Sequence, residues 1–104
     1  MKRGEVRWYR FAQPDKKRPV VLLTRTSVLS YLGEVTIAPI TTTVRNIPSE
    51  VRLGPEDGMP RACAVNCDHL QTVAKARLGR VVTRLSTQRL AEINQAIRFA
   101  IDLS

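Results

Sequence analysis

Two short segments of this chain join polar side chains to hydrophobic strands. Arg18 and Pro19 precede the apolar run 20–23, and the run that begins at Val35 ends in the threonines 41–43. If the two strands pair, a guanidinium and a cluster of hydroxyls meet at one rim of a small sheet. A guanidinium binds phosphate in a planar, bidentate geometry, and hydroxyls donate to phosphoryl oxygens or accept from sugar hydroxyls. The pattern therefore predicts a site that binds a nucleic-acid backbone and possesses the groups to cut it.

The charge of the chain favours a polyanionic partner. Seventeen Lys and Arg face nine Asp and Glu, so the formal net charge is +8. Ten of the basic residues and four of the acidic ones precede Leu53, so the excess lies in the half that carries Arg18 and Thr41. A basic surface on a small domain is typical of proteins that bind nucleic acid or an acidic protein tail.

The length and hydropathy of the chain predict a single soluble domain over residues 1–104. A chain of 104 residues, 43% of them hydrophobic, can bury one modest core, and domains of this size are often helped by oligomerisation. No stretch approaches the ~18 apolar residues of a membrane span, and no apolar signal core follows residues 1–5. We therefore expect a cytoplasmic protein without a membrane partner.

The cysteines and the histidine are too few for a usual zinc site. Cys63 and Cys67 are the two cysteines, and His69 is the single histidine, so no four-ligand set forms within one subunit and we expect no metal. On a strand, residues 63, 65 and 67 share one face, which favours two buried structural thiols. We do not expect a disulfide in a cytosolic protein.

Short strand-like runs recur along most of the chain and are separated by turn formers, which is typical of a small barrel or sandwich. Residues 26–32 fit a short helix or an irregular loop. Strand alternation separates Trp8 from Tyr9 and Phe11 and leaves open which of the two sets is exposed. The predicted strands are Val6–Phe11, Val20–Thr24, Val35–Ile40, Glu50–Leu53, Ala62–Cys67, Leu70–Val73 and Leu78–Val82.

The last segment has helical periodicity. Apolar residues recur at three- and four-residue spacing between Leu90 and Ile101, with polar residues on the other face. Ser86 has the side chain of an N-cap, so we expect a helix over Ser86–Leu103 that covers one open face of the barrel. The predicted fold class is therefore mostly β (α+β), a small barrel with a C-terminal α-helix.

Several motifs resemble one family in their order and spacing. They are Gly4-Glu5-Val6, Arg18-Pro19-Val20-Val21-Leu22, Ala38-Pro39-Ile40-Thr41-Thr42 and the segment Asp68–Gly79. With the amphipathic helix, they make the chain similar to the MazF/PemK-type toxins over nearly its whole length. The resemblance implies an SH3-like barrel, a symmetric homodimer, and a metal-independent, sequence-selective endoribonuclease without a cofactor. It also implies a cognate antitoxin whose acidic, initially disordered segment covers the RNA groove.

The resemblance assigns the catalytic roles to Arg18 and Thr41. Metal-free cleavage uses the 2′-hydroxyl of the RNA as the nucleophile, expels the 5′-oxygen and leaves a 2′,3′-cyclic phosphate. Arg18 is suited to stabilising the phosphorane, and Thr41 to holding a non-bridging oxygen or the 2′-hydroxyl. Arginine is a poor general base because its pKa lies above ~12, so the proton carriers stay open. We assign RNA binding to Lys16, Lys17, Thr42, Thr43, Arg45, Asp68 and His69.

Three departures from the family pattern affect the details of the chemistry. The loop before Arg18 is shorter than in many members and has no clear counterpart of their acidic residue, for which Asp15 is the candidate. The aromatic and acidic positions that follow Glu5 are replaced by residues 7–10, and His69 stands where glutamine is common. His69 is either a polar residue that contacts RNA or backbone at a strand turn, or a proton carrier.

Two non-catalytic functions stay open on the sequence. One is a toxin of the same barrel type that inhibits a protein target such as DNA gyrase, and the other is an SH3-like RNA-binding module. The pairing of Arg18 with Thr41 discriminates between these functions and catalysis, because a protein that only binds another protein needs neither side chain.

Overall fold

The computed structural model describes residues 1–12 and 16–103, so Asp15 lies outside the described residues. The architecture is mostly β, with one α-helix at the C-terminal end, as predicted. All seven predicted strands are present, several with shifted ends. The elements are β1 (Glu5–Arg10), β2 (Lys17–Leu22), β3 (Glu34–Thr41), β4 (Glu50–Leu53), β5 (Cys63–Asn66), β6 (Gln71–Ala74), β7 (Val81–Arg84) and α1 (Thr87–Ala100).

The strands form one strongly bent antiparallel sheet that makes a half-barrel. Its order is β4-β5-β3-β2-β1-β7, and β6 pairs with β3 off this path. β3 pairs with β6 over Glu34–Ile37, with β2 over Ile37–Pro39 and with β5 over Ile40–Thr41. β3 is therefore the central strand, and β4 and β7 are the two ends of the sheet.

Two hydrophobic clusters fill the two sides of the bent sheet. Strand alternation sends Val21 into the larger cluster, which Ile93 and Ala96 of α1 close, and sends Val20 and Leu22 into the smaller one. Cys63, Val65 and Cys67 all lie in the larger cluster, and both cysteines are buried and free. The prediction of two buried structural thiols on one face is confirmed.

The helix covers the side of the half-barrel formed by β4 and the short 3-10 helix Cys67–His69, as expected for a lid. Its predicted N-cap is confirmed, because Ser86 Oγ accepts the N–H of Arg89 at 3.1 Å. The predicted end at Leu103 is too late, since the helix ends at Ala100. Within the described residues, no helix is long and apolar enough to cross a bilayer.

The predicted starts of two strands, β2 and β7, are wrong. β2 begins at Lys17, so Arg18 lies within the strand and not before it. β7 begins at Val81 because the preceding residues turn through the 3-10 helix Lys75–Arg77. The ambiguous segment 26–32 is a 3-10 helix over Thr26–Val28 followed by a turn.

Candidate functional site

The structure brings Arg18 and Thr41 to one rim of the sheet. The pairing of β2 with β3 aligns Val20 with Pro39, and Arg18 and Thr41 each lie two residues from this pair, toward the same end of the ladder. Both side chains line one open groove of about 610 Å³. The two motifs singled out in the sequence therefore converge because their strands are neighbours.

Both groups have hydrogen-bonding capacity left for a ligand. Arg18 is exposed, and no carboxylate among residues 1–12 and 16–103 forms an ion pair with it. Thr41 is half-buried, and its Oγ1 accepts the N–H of Thr43 at 3.1 Å. A hydroxyl that accepts in this way keeps its own proton for donation. The rim therefore offers a guanidinium fork and a hydroxyl donor side by side.

An aromatic ring lies beside these groups. Trp8 lines the groove, and Lys17 Nζ lies 5.7 Å from the centroid of the Trp8 ring. Tyr9 and Phe11 instead pack edge-to-face, with ring centroids 4.9 Å apart, against the smaller hydrophobic cluster. Trp8 is thus the aromatic residue placed to stack on a base.

Arg61 is a groove residue that the sequence did not single out. It is exposed and follows Met59 and Pro60, which also line the groove, in the loop between β4 and β5. The sequence of this loop has the composition of a turn. The loop reaches the rim only because β5 pairs with the end of β3 beside Thr41. No local signal marked Arg61, since its place depends on a long-range strand pairing.

The groove has a strongly positive lining. Among the described residues that line it, four carry a positive charge and none carries a carboxylate. Neighbouring like charges raise the local potential and attract a polyanion. The charged lining residues are Lys16, Lys17, Arg18 and Arg61.

The remaining predicted RNA-binding residues divide into two groups. Thr42 and Thr43 line the groove beside Thr41. Arg45, Asp68 and His69 are exposed but lie outside the groove lining. The assignment of these three residues to RNA stays a prediction.

Asp68 and His69 are engaged in local contacts of the 3-10 helix Cys67–His69. Asp68 accepts the hydroxyl of Ser49 at 2.5 Å, and its N–H donates to Asn66 Oδ1 at 3.0 Å. His69 Nδ1 lies 3.3 Å from Asn66 Nδ2. His69 is thus a polar residue at a strand turn, as one of its two interpretations expects, and its ring contacts the side chain of Asn66.

A buried carboxylate lies on β1, outside the groove lining. Glu5 is 3% exposed, and its carboxylate accepts Arg7 Nε at 2.9 Å and lies 3.5 Å from Arg84 Nε. Burial opposes ionisation, but hydrogen bonds from the Arg7 side chain and the Lys2 backbone outweigh it and hold the pKa of Glu5 below its ordinary value. Glu5 therefore stays charged and holds Arg7, which also donates to the Gly79 carbonyl at 2.9 Å.

The two thiols are not placed to act as nucleophiles. Cys63 lines the groove, but burial raises its pKa, and burial raises the pKa of Cys67 to about 11. Both are protonated at neutral pH, and the thiolate is the reactive form. Within the described residues, no group of three His, Cys, Asp or Glu is arranged to hold a metal ion.

The chain is similar to known proteins over most of its length. A family model described as "PemK-like, MazF-like toxin of type II toxin-antitoxin system" matches residues 2–101. Endoribonuclease MazF3 of Mycobacterium tuberculosis is 42% identical over 92 residues, which cover 88% of this chain and 89% of that protein. The residues matched by the family model extend from β1 through Ala100, the last residue of α1, and include both motifs of the groove.

Solved structures show the same fold. The structure of Mycobacterium tuberculosis toxin MazF-mt6 has a TM-score of 0.89 and 36% identity, over 96% of this chain and 98% of that chain. A mycobacterial endoribonuclease in complex with its cognate antitoxin has a TM-score of 0.89 and 26% identity, over 100% of this chain and 97% of that chain. The half-barrel with its helix is thus the fold of these proteins.

Proposed function

We propose, from the premise that this chain belongs to the PemK-like, MazF-like toxins of type II toxin–antitoxin systems, that it is the toxin of such a system and an endoribonuclease. One observation carries the site assignment. The Arg18 guanidinium, with which no carboxylate among the described residues pairs, and the Thr41 hydroxyl share the rim of a groove whose described lining is positive and free of carboxylates. Relatives named as endoribonucleases support the reaction class over the two non-catalytic functions.

The cleavage reaction uses the nucleophile that RNA itself supplies. The 2′-oxygen forms a bond to the adjacent phosphorus as it loses its proton, and the bond from phosphorus to the 5′-oxygen breaks as that oxygen gains a proton. Arg18 donates to two non-bridging oxygens and stabilises the extra negative charge of the phosphorane. Thr41 donates its hydroxyl proton in a hydrogen bond to a phosphoryl oxygen. The products are a 2′,3′-cyclic phosphate and a 5′-hydroxyl.

The open groove suits single-stranded RNA. Its cations neutralise phosphates on both sides of the cleaved bond, and Trp8 offers a surface on which an unpaired base stacks. An acidic antitoxin segment would compete for the same cations, and a relative of known structure is bound to its cognate antitoxin. We further propose that the chain folds as one domain, acts as a homodimer and works in the cytoplasm, where its RNA substrate lies.

Incubation of the purified protein with total RNA in EDTA tests the function. We expect defined fragments whose upstream pieces carry 2′,3′-cyclic phosphate ends, and end-sequencing gives the cleaved site. Thr41→Ser keeps the hydroxyl and should retain cleavage, whereas Thr41→Val, of similar size, should lose on the order of 10²-fold in rate. Intact RNA with tight binding would instead indicate an RNA-binding module, and intact RNA without binding a protein-directed toxin.

A further inference from the structure

The loop that carries Arg61 closes the gap between the two ends of the sheet. This groove loop, residues 54–62, leaves β4, reaches β7 and returns to begin β5. The Thr83 hydroxyl on β7 donates to the Asp57 carbonyl at 3.0 Å, and Met59 is buried in the larger hydrophobic cluster. One side of the groove is therefore made by a loop that must be held in place.

Arg89 on α1 binds the same loop through the carboxylate of Asp57. Arg89 donates from Nε to Asp57 Oδ1 at 2.9 Å and from Nη2 to Oδ2 at 3.2 Å. Asp57 Oδ2 also accepts the N–H of Gly54 at 3.0 Å, and Arg89 Nη1 donates to Glu92 Oε1 at 2.9 Å. A bidentate pair of this kind fixes the orientation of the carboxylate and of the backbone that carries it.

The contact between the groove loop and β7 leaves little space for adjustment. Gly58 has a φ of +87°, and a Cβ at this position would overlap the Thr83 hydroxyl. The hydrogen bonds from Arg89 hold the pKa of Asp57 below its ordinary value, so the ion pair is formed at neutral pH. The loop therefore has one defined position as long as Arg89 holds it.

Arg61 depends on this support because no described side chain or backbone group holds its guanidinium. No acceptor among the described residues binds its guanidinium, so its position comes from the backbone of the groove loop. We propose that Arg89, which lies outside the groove, is a positioning residue that holds the groove loop so that Arg61 contacts an RNA phosphate. This inference rests on the proposed function and adds to it a residue of the helix that positions an RNA-binding side chain.

Asp57→Asn tests the proposal because charge alone and the Arg89–Asp57 contact predict opposite results. The substitution removes a negative charge, so electrostatics alone would tighten RNA binding. Loss of the contact would instead weaken binding about fivefold and lower the slope of log affinity against log salt by about 0.7, the loss of one single-strand phosphate contact. The probe is an RNA oligonucleotide of the cleaved sequence with one 2′-deoxy nucleotide at the cleaved position. Unchanged or tighter binding by the folded variant would overturn the proposal.

A double-mutant cycle then links the helix to Arg61. Arg61→Gln and Arg89→Gln should each weaken binding about fivefold, and the double variant should be no weaker than Arg61→Gln alone. In cleavage assays both should raise KM while kcat stays within about twofold. Arg98→Gln, which removes the same charge from an exposed position on α1, is the matched control and should leave KM unchanged.

The possible results distinguish a failure of this inference from a failure of the proposed function. Effects that multiply in the double variant, or an Arg89→Gln variant that binds like the wild type, would overturn the positioning role while RNA cleavage by the wild type still stands. If Arg89→Gln does not fold, Arg89→Lys keeps the charge without the fork and should show the same raised KM. A wild-type protein that leaves RNA intact would instead refute the proposed function.

Discussion

Two arginines of the groove, Arg18 and Arg61, and two arginines outside it, Arg7 on β1 and Arg89 on α1, are in opposite electrostatic situations. Arg18 and Arg61 are exposed and have no carboxylate partner among the described residues. Arg7 and Arg89 are half-buried, and each donates to a carboxylate at 2.9 Å. Among these four arginines, the two that lie in the groove are therefore uncompensated, and the two that lie outside it are compensated by carboxylates.

The difference shows which charges serve stability and which serve binding. A half-buried ion pair that loses one member leaves the other desolvated and unpaired, which destabilises the fold. Exposed cations in a groove repel one another, and a polyanion relieves that repulsion. Substitutions in the groove should therefore reduce activity and spare stability, and substitutions in the Arg7–Glu5 pair, which does not hold the groove loop, should do the reverse.

The largest effect is expected at Arg18. Arg18→Ala removes the fork that stabilises the phosphorane, so we expect turnover to fall by at least about 10²–10³-fold with the fold intact. Cleavage of an RNA oligonucleotide under saturating conditions measures the loss, and thermal unfolding checks the fold. Arg25→Ala removes an exposed arginine outside the groove lining and is the matched control. Near-normal turnover by folded Arg18→Ala would refute the catalytic assignment.

At Glu5 we expect an effect on stability and none on activity. Glu5→Gln leaves the half-buried Arg7 without its anionic partner, so the free energy of unfolding should fall by about 1–3 kcal/mol. Cleavage at a temperature where both proteins are folded should not change, because Glu5 does not line the groove. Urea unfolding followed by circular dichroism measures the stability.

The pH dependence of Glu5→Gln gives this prediction a second check. The folded state lowers the pKa of Glu5, so its stabilisation is complete above the unfolded pKa of about 4.3 and is lost as the pH falls through the lower folded value. The stability difference between wild type and variant should therefore be full at pH 7 and shrink below about pH 4. A difference that grew on acidification would contradict the ionised state of Glu5.

The smallest effect is expected at His69. His69→Gln should leave the pH profile of cleavage unchanged, because the imidazole lies outside the groove lining and its Nδ1 faces Asn66. A pH–rate profile of both proteins between pH 5 and 8 measures this. Disappearance of one limb of the profile in the variant would make His69 the titrating group and move it into the reacting site.

The sequence predicts features that depend on neighbours along the chain. The strands and the helix follow from local alternation and periodicity, and Ser86 marks the helix start because capping involves residues three apart. Arg18 and Thr41 were found because each lies at the end of an apolar run. Arg61 was missed because its place depends on β5 pairing with β3, and a single sequence does not encode that pairing in any local pattern.

The predicted start of β7 is wrong for a related reason. The predicted strand starts at Leu78, but a 3-10 helix directly precedes this residue, and the regular ladder with β1 begins only at Val81. Gly79 instead approaches the backbone of Trp8, to which its N–H donates at 2.7 Å. Competition between a local turn and a long-range ladder decided this boundary, and propensity alone does not resolve such competition.

The position of Thr41 at the end of the central strand has a consequence for hydrogen exchange. β3 has partners on both edges, since Ile37 pairs with Leu22 on one side and Gln71 on the other. Amides in such a strand exchange with solvent through opening of most of the molecule, whereas those of a surface loop exchange by local opening. The middle of β3 should therefore keep its shape until most of the molecule unfolds, and it anchors the strand end that carries Thr41. A partner that silences this protein without unfolding it would then act by covering the rim and not by pulling β3 out of the sheet.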